Sequence, residues 1–361
     1  MKKSLIPVLL AVSFGMQSCK DDFEVAAPYK EITMAYGILN AEDTAHYIRI
    51  EKAFLDNNKS AIDMSQVADS SYFKNLTVVM KEYEGDVVRR IIPMYRVDMR
   101  LEGYPKDAAG SQGFFTDPHY AYKLKTTSSP DSVLNPFRKY RLIITNTDAG
   151  RTDSSEVFKV VNTNKDRNPN SFYINSFTNA GFTLNFAKTA LKSSFTLTGT
   201  TPTNGYMVEG ILRFNYIERD NVTGLKTRKY ADFTFGSDVK NPTEQFKMEV
   251  LNSTFYGFLY DAMGEAPANV VRYLDSCDFF IYCGGSELYN YKQLAAIQGG
   301  SLLGDQIKPM YSNMKGDNTY GVITSRALNI RKNVAIDQIT IDSIKLNPIT
   351  KSLNIVGLSD E

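Results

Sequence analysis

The amino-acid sequence predicts a mainly β protein, and three observations carry that expectation. Apolar and polar residues alternate with period two in many short runs, and turns rich in Gly, Asn, Asp and Pro separate those runs. Only two stretches repeat their apolar residues with the spacing of a helix.

Taken in order, the chain opens on a basic Met1-Lys2-Lys3. An apolar run from Leu5 to Phe14 follows, broken only by Pro7 and Ser13, and then comes Cys19. A run of roughly 10 apolar residues is half of what a helix needs to cross a bilayer, so it reads as a secretory signal rather than a span. Met16-Gln17-Ser18-Cys19 resembles a lipobox, with Ser18 and Cys19 as the well-fitting positions. That resemblance implies cleavage after residue 18, acylation of Cys19 and anchoring through buried CH2 groups, the new chain running on as a tether over 19–30. Ordinary secretion with a coincidental cysteine is the alternative. Lys20-Asp21-Asp22-Phe23-Glu24 is similar to the acidic surface-export signal that follows the lipidated cysteine in Bacteroidota-type lipoproteins; the alternative is a solvated acidic tether.

From Ile32 to Val161 the chain reads as strands. Ile48 and Ile50 alternate with Arg49 and Glu51, Leu76–Met80 and Val87–Met94 are joined at Glu84-Gly85-Asp86, and Tyr140–Ile144 turns at 146–150 into Glu156–Val161. Short strands at this spacing suggest an immunoglobulin-like β-sandwich over 31–161, interrupted by a long loop at 103–118. Polar Asn162–Asn170 with Pro169 is the expected boundary to a second β-rich domain over 171–361. Its strands are expected at 182–186, 194–198, 206–219 and 229–235, with a turn at 220–224. Asn241-Pro242-Thr243-Glu244 fits a capped helix start, and Met248, Leu251, Phe255, Phe258, Leu259 and Ala262 share one helical face. These predict a helix near 242–263, stopped by Gly264 and Pro267. A second helix is expected near 287–298, capped by Ser286 and ended by Gly299-Gly300. Strands are then expected at 320–324, 336–346 and 353–356.

The C-terminal third is similar to a family of Bacteroidota-type envelope lipoproteins of unknown function. The matching pieces are Ser286 to Tyr291, Pro309, Asn313-Met314-Lys315-Gly316 and Tyr320-Gly321-Val322-Ile323, joined by Ala35–Leu39 and Ile48–Ile50 near the start. The resemblance implies an outer-membrane, surface-exposed setting and a TonB-dependent transporter as partner; it transfers no catalytic residues.

Charge bounds the partners further. Lys plus Arg number 41 against 40 for Asp plus Glu, and no basic block points to nucleic acid. Cys277 and Cys283 fall on one expected strand, which puts their Cα atoms about 20 Å apart, so buried free thiols are expected rather than a disulfide. The two histidines, His46 on a strand face and His119 after Pro118, read as structural and as a solvated loop residue. HExxH, CxxC and G-x-S-x-G are absent, and Ser71-x-x-Lys74 and Ser312-x-x-Lys315 lack a companion KTG. Glu42-Asp43 and Glu82/Glu84 read as solvated turn or strand-edge residues. No metal or cofactor is called for, and an enzyme is not expected. Aromatic residues are the abundant resource, with 22 Tyr, 21 Phe and no Trp. Phe255 to Tyr260 with Tyr289 and Tyr291 can form a sugar-stacking surface or pack a core. Loop residues Tyr104, Phe114, Phe115, Tyr120 and Tyr122 can form a protein-contact patch. The expected function is therefore non-enzymatic binding or accessory work at the outer membrane, with a glycan-binding module or a structural or adhesive protein as alternatives.

Overall fold

The computed structural model describes residues 31–53, 61–106, 115–126, 133–162, 173–177, 183–184, 186–187, 194–300 and 311–357. Cys19, the stretch Lys20 to Glu24 and Phe114 lie outside the described residues.

The protein is mainly β with a few helices, as the sequence predicts. The first half holds β1 (Ile32–Leu39), β2 (Ala45–Ala53), the short helices α1 (Ala61–Ser65) and α2 (Ala68–Ser71), and β3 (Leu76–Glu84). It continues with β4 (Val87–Asp98), β5 (Tyr120–Lys125), β6 (Lys139–Asn146) and β7 (Arg151–Ser155). Next come β8 (Tyr173–Phe177), β9 (Thr183–Leu184), β10 (Ser194–Thr200), β11 (Met207–Asp220), β12 (Lys226–Val239) and β13 (Gln245–Leu251). The last part holds α3 (Asn252–Met263), β14 (Val270–Gly284), α4 (Ser286–Gly300), β15 (Met314–Lys315), β16 (Thr319–Ile336), α5 (Gln338–Leu346) and β17 (Ile355–Gly357).

One large sheet runs in the order β12-β11-β14-β16-β1-β2-β5-β4-β3-β6-β7-β15, and β13-β10-β8 forms a smaller one. β16 joins the two halves. Its first part pairs parallel with β1 from Thr33↔Thr319 to Leu39↔Ser325, and its second pairs antiparallel with β14 from Arg326 to Val334. β15 pairs with β7, so residues 314–325 complete a sheet begun at residue 32. Gly321 is required at that seam: its φ is +129°, and a Cβ there would stand 1.9 Å from the Ala35 carbonyl oxygen.

Two cores result. Ile48, Ile50, Met80, Leu124, Tyr140, Leu142 and Ile323 belong to the first. The second packs the large-sheet face of β11, β12 and β14 against the small sheet and α3, and it is rich in Phe. Cys277 and Cys283 are buried free thiols on β14, as expected, and burial pushes both thiols up.

Several sequence expectations are corrected. The stretch expected to start a helix at 242 is a turn followed by β13. Thr243 takes a positive φ of 72°, Asn241 N–H donates to Glu244 Oε2 at 3.0 Å, and Phe246, Met248 and Val250 alternate inward. The helix starts only at Asn252. It stops at Gly264 as expected, and the Arg272 guanidinium donates to the carbonyls of Met263 and Gly264. The strand expected at 336–346 is α5 instead. The Asp337 carboxylate accepts the Thr340 N–H at 2.8 Å, and buried Ile341 and Ile344 sit three apart on one helical face. After the turn at 146–150 the returning strand is Arg151–Ser155 rather than Glu156–Val161, where Phe158 makes only an isolated bridge to Tyr140. The helix expected near 287–298 is present as α4. No described helix is long and apolar enough to cross a membrane.

Candidate functional site

At one end of the first half, the inner face of the large sheet runs out of core. Met94 on β4 is buried, and Arg96, two residues on and on the same face, reaches the rim. Register pairs Asp98 with Tyr120 and Arg96 with Tyr122, which places Tyr120 at the same rim. The Arg96 guanidinium stands 3.9 Å over the Tyr120 ring and donates to the Phe73 carbonyl at 3.1 Å. Tyr72, on the residue that ends α2, meets Tyr120 edge-on at 5.1 Å and Phe115 at 5.6 Å. Its hydroxyl donates to the Pro118 carbonyl and accepts the Tyr120 N–H. Lys106 Nζ lies 3.7 Å from the centre of the Phe115 ring, and desolvation lowers the ammonium's pKa. A cleft of about 410 Å³ opens here, with Asp69, Tyr72, Lys74, Arg96 and Tyr120 in its wall.

Tyr104 lies on the loop after β4, against the outer face of the sheet. It is 58% exposed and meets Tyr47 edge-on at 5.9 Å; the Tyr47 hydroxyl donates to Glu102 at 2.7 Å, and Lys123 also bonds that carboxylate. The Tyr104 carbonyl is held 3.0 Å from Nδ1 of His119, which is half-buried rather than fully solvated. Leu101 and Tyr95 are exposed too, Tyr95 on the face of β4 opposite Arg96. Of the five residues expected to form a contact patch, Tyr104, Phe115 and Tyr120 thus fall on this end. Tyr122 does not: it is 5% exposed and belongs to the core, because it is one step inward along β5 from Ala121 and shares the face of Leu124. Tyr72, Arg96 and Lys106 escaped the sequence reading. Their meeting depends on cross-strand register and on where α2 docks, neither of which a linear pattern carries.

Tyr289 and Tyr291 lie elsewhere, on α4. Two residues apart on a helix they face different ways: Tyr289 meets Tyr206 edge-on at 5.1 Å, while Tyr291 lies near Tyr36 and helps to raise its pKa, after burial. A second cleft of about 410 Å³ opens beside Tyr206, between the two halves, with Lys139, Lys159, Asn204, Ser286 and Glu287 in its wall. Asn204 bridges the halves by donating from Nδ2 to the carbonyls of Pro136 at 2.7 Å and Val160 at 2.9 Å. Phe255 and Tyr256 are core residues, with Phe255 stacked on Phe186 at 3.9 Å.

Two titratable groups of the first half, Glu82 and His46, are absorbed by structure, while Glu84 is exposed as expected. Glu82 is corrected from a solvated residue to a carboxylate 2% exposed, bonded by Arg90 at 2.6 Å and Arg138 at 2.9 Å and capped by Tyr140. His46 is buried, 3.4 Å from Thr126 Oγ1, and burial lowers its pKa to about 4. Among the described residues, no group of three or more His, Cys, Asp or Glu is placed to hold a metal ion. What the rim offers is ring edges and faces, two cations and backbone acceptors, which is chemistry for recognition. No protein-family model matches the chain, and no curated protein matches it either.

Proposed function

We propose that this chain is a lipid-anchored protein of the outer membrane that works by binding, held through Cys19 and docking an envelope partner such as a TonB-dependent transporter. Its docking surface is the aromatic and cationic end formed by Arg96, Tyr104, Lys106, Phe115 and Tyr120, seated on buried Tyr72. The observation that carries this reading is the rim itself: rings stacked with Arg96 and Lys106 are fixed by strands and backbone hydrogen bonds, and the loop after β4 leaves Leu101 and Tyr104 exposed. Pre-positioned aromatic and Arg side chains are the usual anchors of protein interfaces because they bury much area at little cost in side-chain entropy. The signal-like start, Cys19 and the acidic stretch after it support the setting.

Native protein extracted in mild detergent tests the reading. An envelope protein is expected to co-purify with the wild type and to be lost from a Tyr104→Ala/Phe115→Ala double variant of unchanged thermal midpoint. Repeated recovery of the wild type alone would sink the partner claim. A Cys19→Ser form that remains as membrane-bound as the wild type would sink the anchor.

A further inference from the structure

The second half has a sheet face that its core does not use. On β11, β12 and β14 the residues Phe214, Ala231 and Cys277 point into the core. Their neighbours Asn215, Tyr230 and Ser276 therefore point out from the other side, next to one another in register. A cleft of about 350 Å³ opens there, and Arg228, Asp278 and Lys332 also line it. The sheet is irregular at this place. Register shifts between Asn215 and Tyr216 where β11 meets β14, and between Cys277 and Phe279 where β14 meets β16, and Asn333 takes a φ of 56°. Bulges of this kind re-aim side chains and are over-represented beside functional sites. The Asn333 N–H donates to Asp278 Oδ1 at 2.9 Å and Asn215 Nδ2 donates to Oδ2 at 3.2 Å, so neutral donors already hold the carboxylate in the cleft. Arg228 and Lys332, by contrast, have no ion-pair partner among the described residues. The Tyr230 ring is 59% exposed yet fixed in place. The Arg213 guanidinium stands 4.0 Å from its centre and is itself held by two hydrogen bonds to Asp232.

We propose that this cleft binds an anionic oligosaccharide, one whose sugars carry carboxylate or sulfate groups. Tyr230 supplies a pre-positioned ring for the apolar face of a sugar. Ser276, Asn215 and the remaining lone pairs of Asp278 suit sugar hydroxyls, which both donate and accept. Arg228 and Lys332 supply the opposite charge for the anionic groups. These two cations stand on strands separated by two others, at least about 14 Å apart at the backbone. That spacing suits anionic groups on separate sugars of one chain better than a single small anion. The site shares no residue with the docking surface of the first half, so the two readings stand or fall separately.

Calorimetric titration of the full chain in detergent tests it, with tetragalacturonate, a chondroitin sulfate tetrasaccharide, maltotetraose and inorganic phosphate as separate probes. At least one of the two anionic tetrasaccharides is expected to bind, and less tightly as salt is raised. Neutral maltotetraose and phosphate are expected to bind about tenfold more weakly or not at all. Preference between the two anionic probes identifies carboxylate or sulfate as the group that is read. An Arg228→Gln/Lys332→Gln variant is expected to weaken binding about tenfold and Tyr230→Ala about fivefold. All three side chains are exposed, so the thermal midpoint is expected to stay unchanged. Lys125→Gln/Lys351→Gln removes the same charge from exposed positions elsewhere and is expected to leave binding as it is. Failure of both anionic tetrasaccharides to bind, equal binding of maltotetraose or phosphate, or an equal loss in the Lys125/Lys351 control would each overturn the proposal.

Discussion

The two halves of the molecule spend their aromatic residues in opposite ways. In the second half Phe186, Phe195, Phe214, Phe233, Phe235, Phe255 and Phe279 point inward and pack on one another, so the rings are the core. In the first half the core is mostly aliphatic and Met, while Tyr47, Tyr95, Tyr104, Phe115 and Tyr120 stand at its rim and outer face. Both halves bury charge, the first in Glu82 and Asp153 held by arginines, the second in Arg272 held by Glu218. Abundance of a residue type thus says little about its use; the face on which the strand places it decides.

Substitutions can break that contrast. Phe255→Ala removes a ring stacked on Phe186 and is expected to cost about 4 kcal/mol in chemical denaturation. A cost no larger than that of Tyr104→Ala would mean that the second core does not depend on its rings. Glu82→Ala, which strands Arg90 and Arg138 beside a cavity, is expected to cost about 3 kcal/mol; restoration of full stability by high salt would show that the cluster is effectively exposed. His46 gives a pH test of the first half. Its pKa falls from 6.5 unfolded to about 4 folded, so the unfolded chain binds the proton first. The stability due to neutral His46 is fully present above pH 6.5 and is lost as the pH falls toward 4. Denaturation at pH 6.5 and pH 5 is expected to differ by about 2 kcal/mol in the wild type and by clearly less in His46→Gln. Equal slopes for the two proteins would remove His46 from the account. Smallest is the helix cap: Asp337→Ala is expected to cost about 1 kcal/mol by removing the carboxylate that accepts the Thr340 N–H and leaving that donor only the longer bond to the residue 337 carbonyl, read as a lower thermal midpoint.

Strand alternation made most of the sheet legible. Ile48 and Ile50 against Arg49 and Glu51 identified β2, and the turn at 220–224 separated β11 from β12 where the structure has it. Two elements were misread where two periods share residues. Met248, Leu251 and Phe255 satisfy a helical spacing, yet Phe246, Met248 and Val250 satisfy a strand spacing, and the small sheet supplied the partner that decided between them. In α5 the Ile and Thr residues favoured a strand, and the cap at Asp337 with packing of Ile341 and Ile344 overrode that propensity. The candidate rim was half legible. Tyr104 and Phe115 announced themselves as aromatics in a polar loop, but Arg96 gained its meaning only from a ring on the neighbouring strand. Glu82 was opaque for a similar reason: its neutralising Arg90 comes from across a hairpin and Arg138 from another segment.

The parallel pairing of β1 with β16 carries a consequence for how the molecule is made. Thr33 meets Thr319, a separation of 319 − 33 = 286 residues. Ordering such a distant contact has a high entropic cost and slows its formation. A chain emerging N-terminus first must therefore keep one side of β1 waiting until residues 319–325 arrive. During that interval the unpaired edge invites pairing with other chains, so the polypeptide is open to aggregation until that pairing closes.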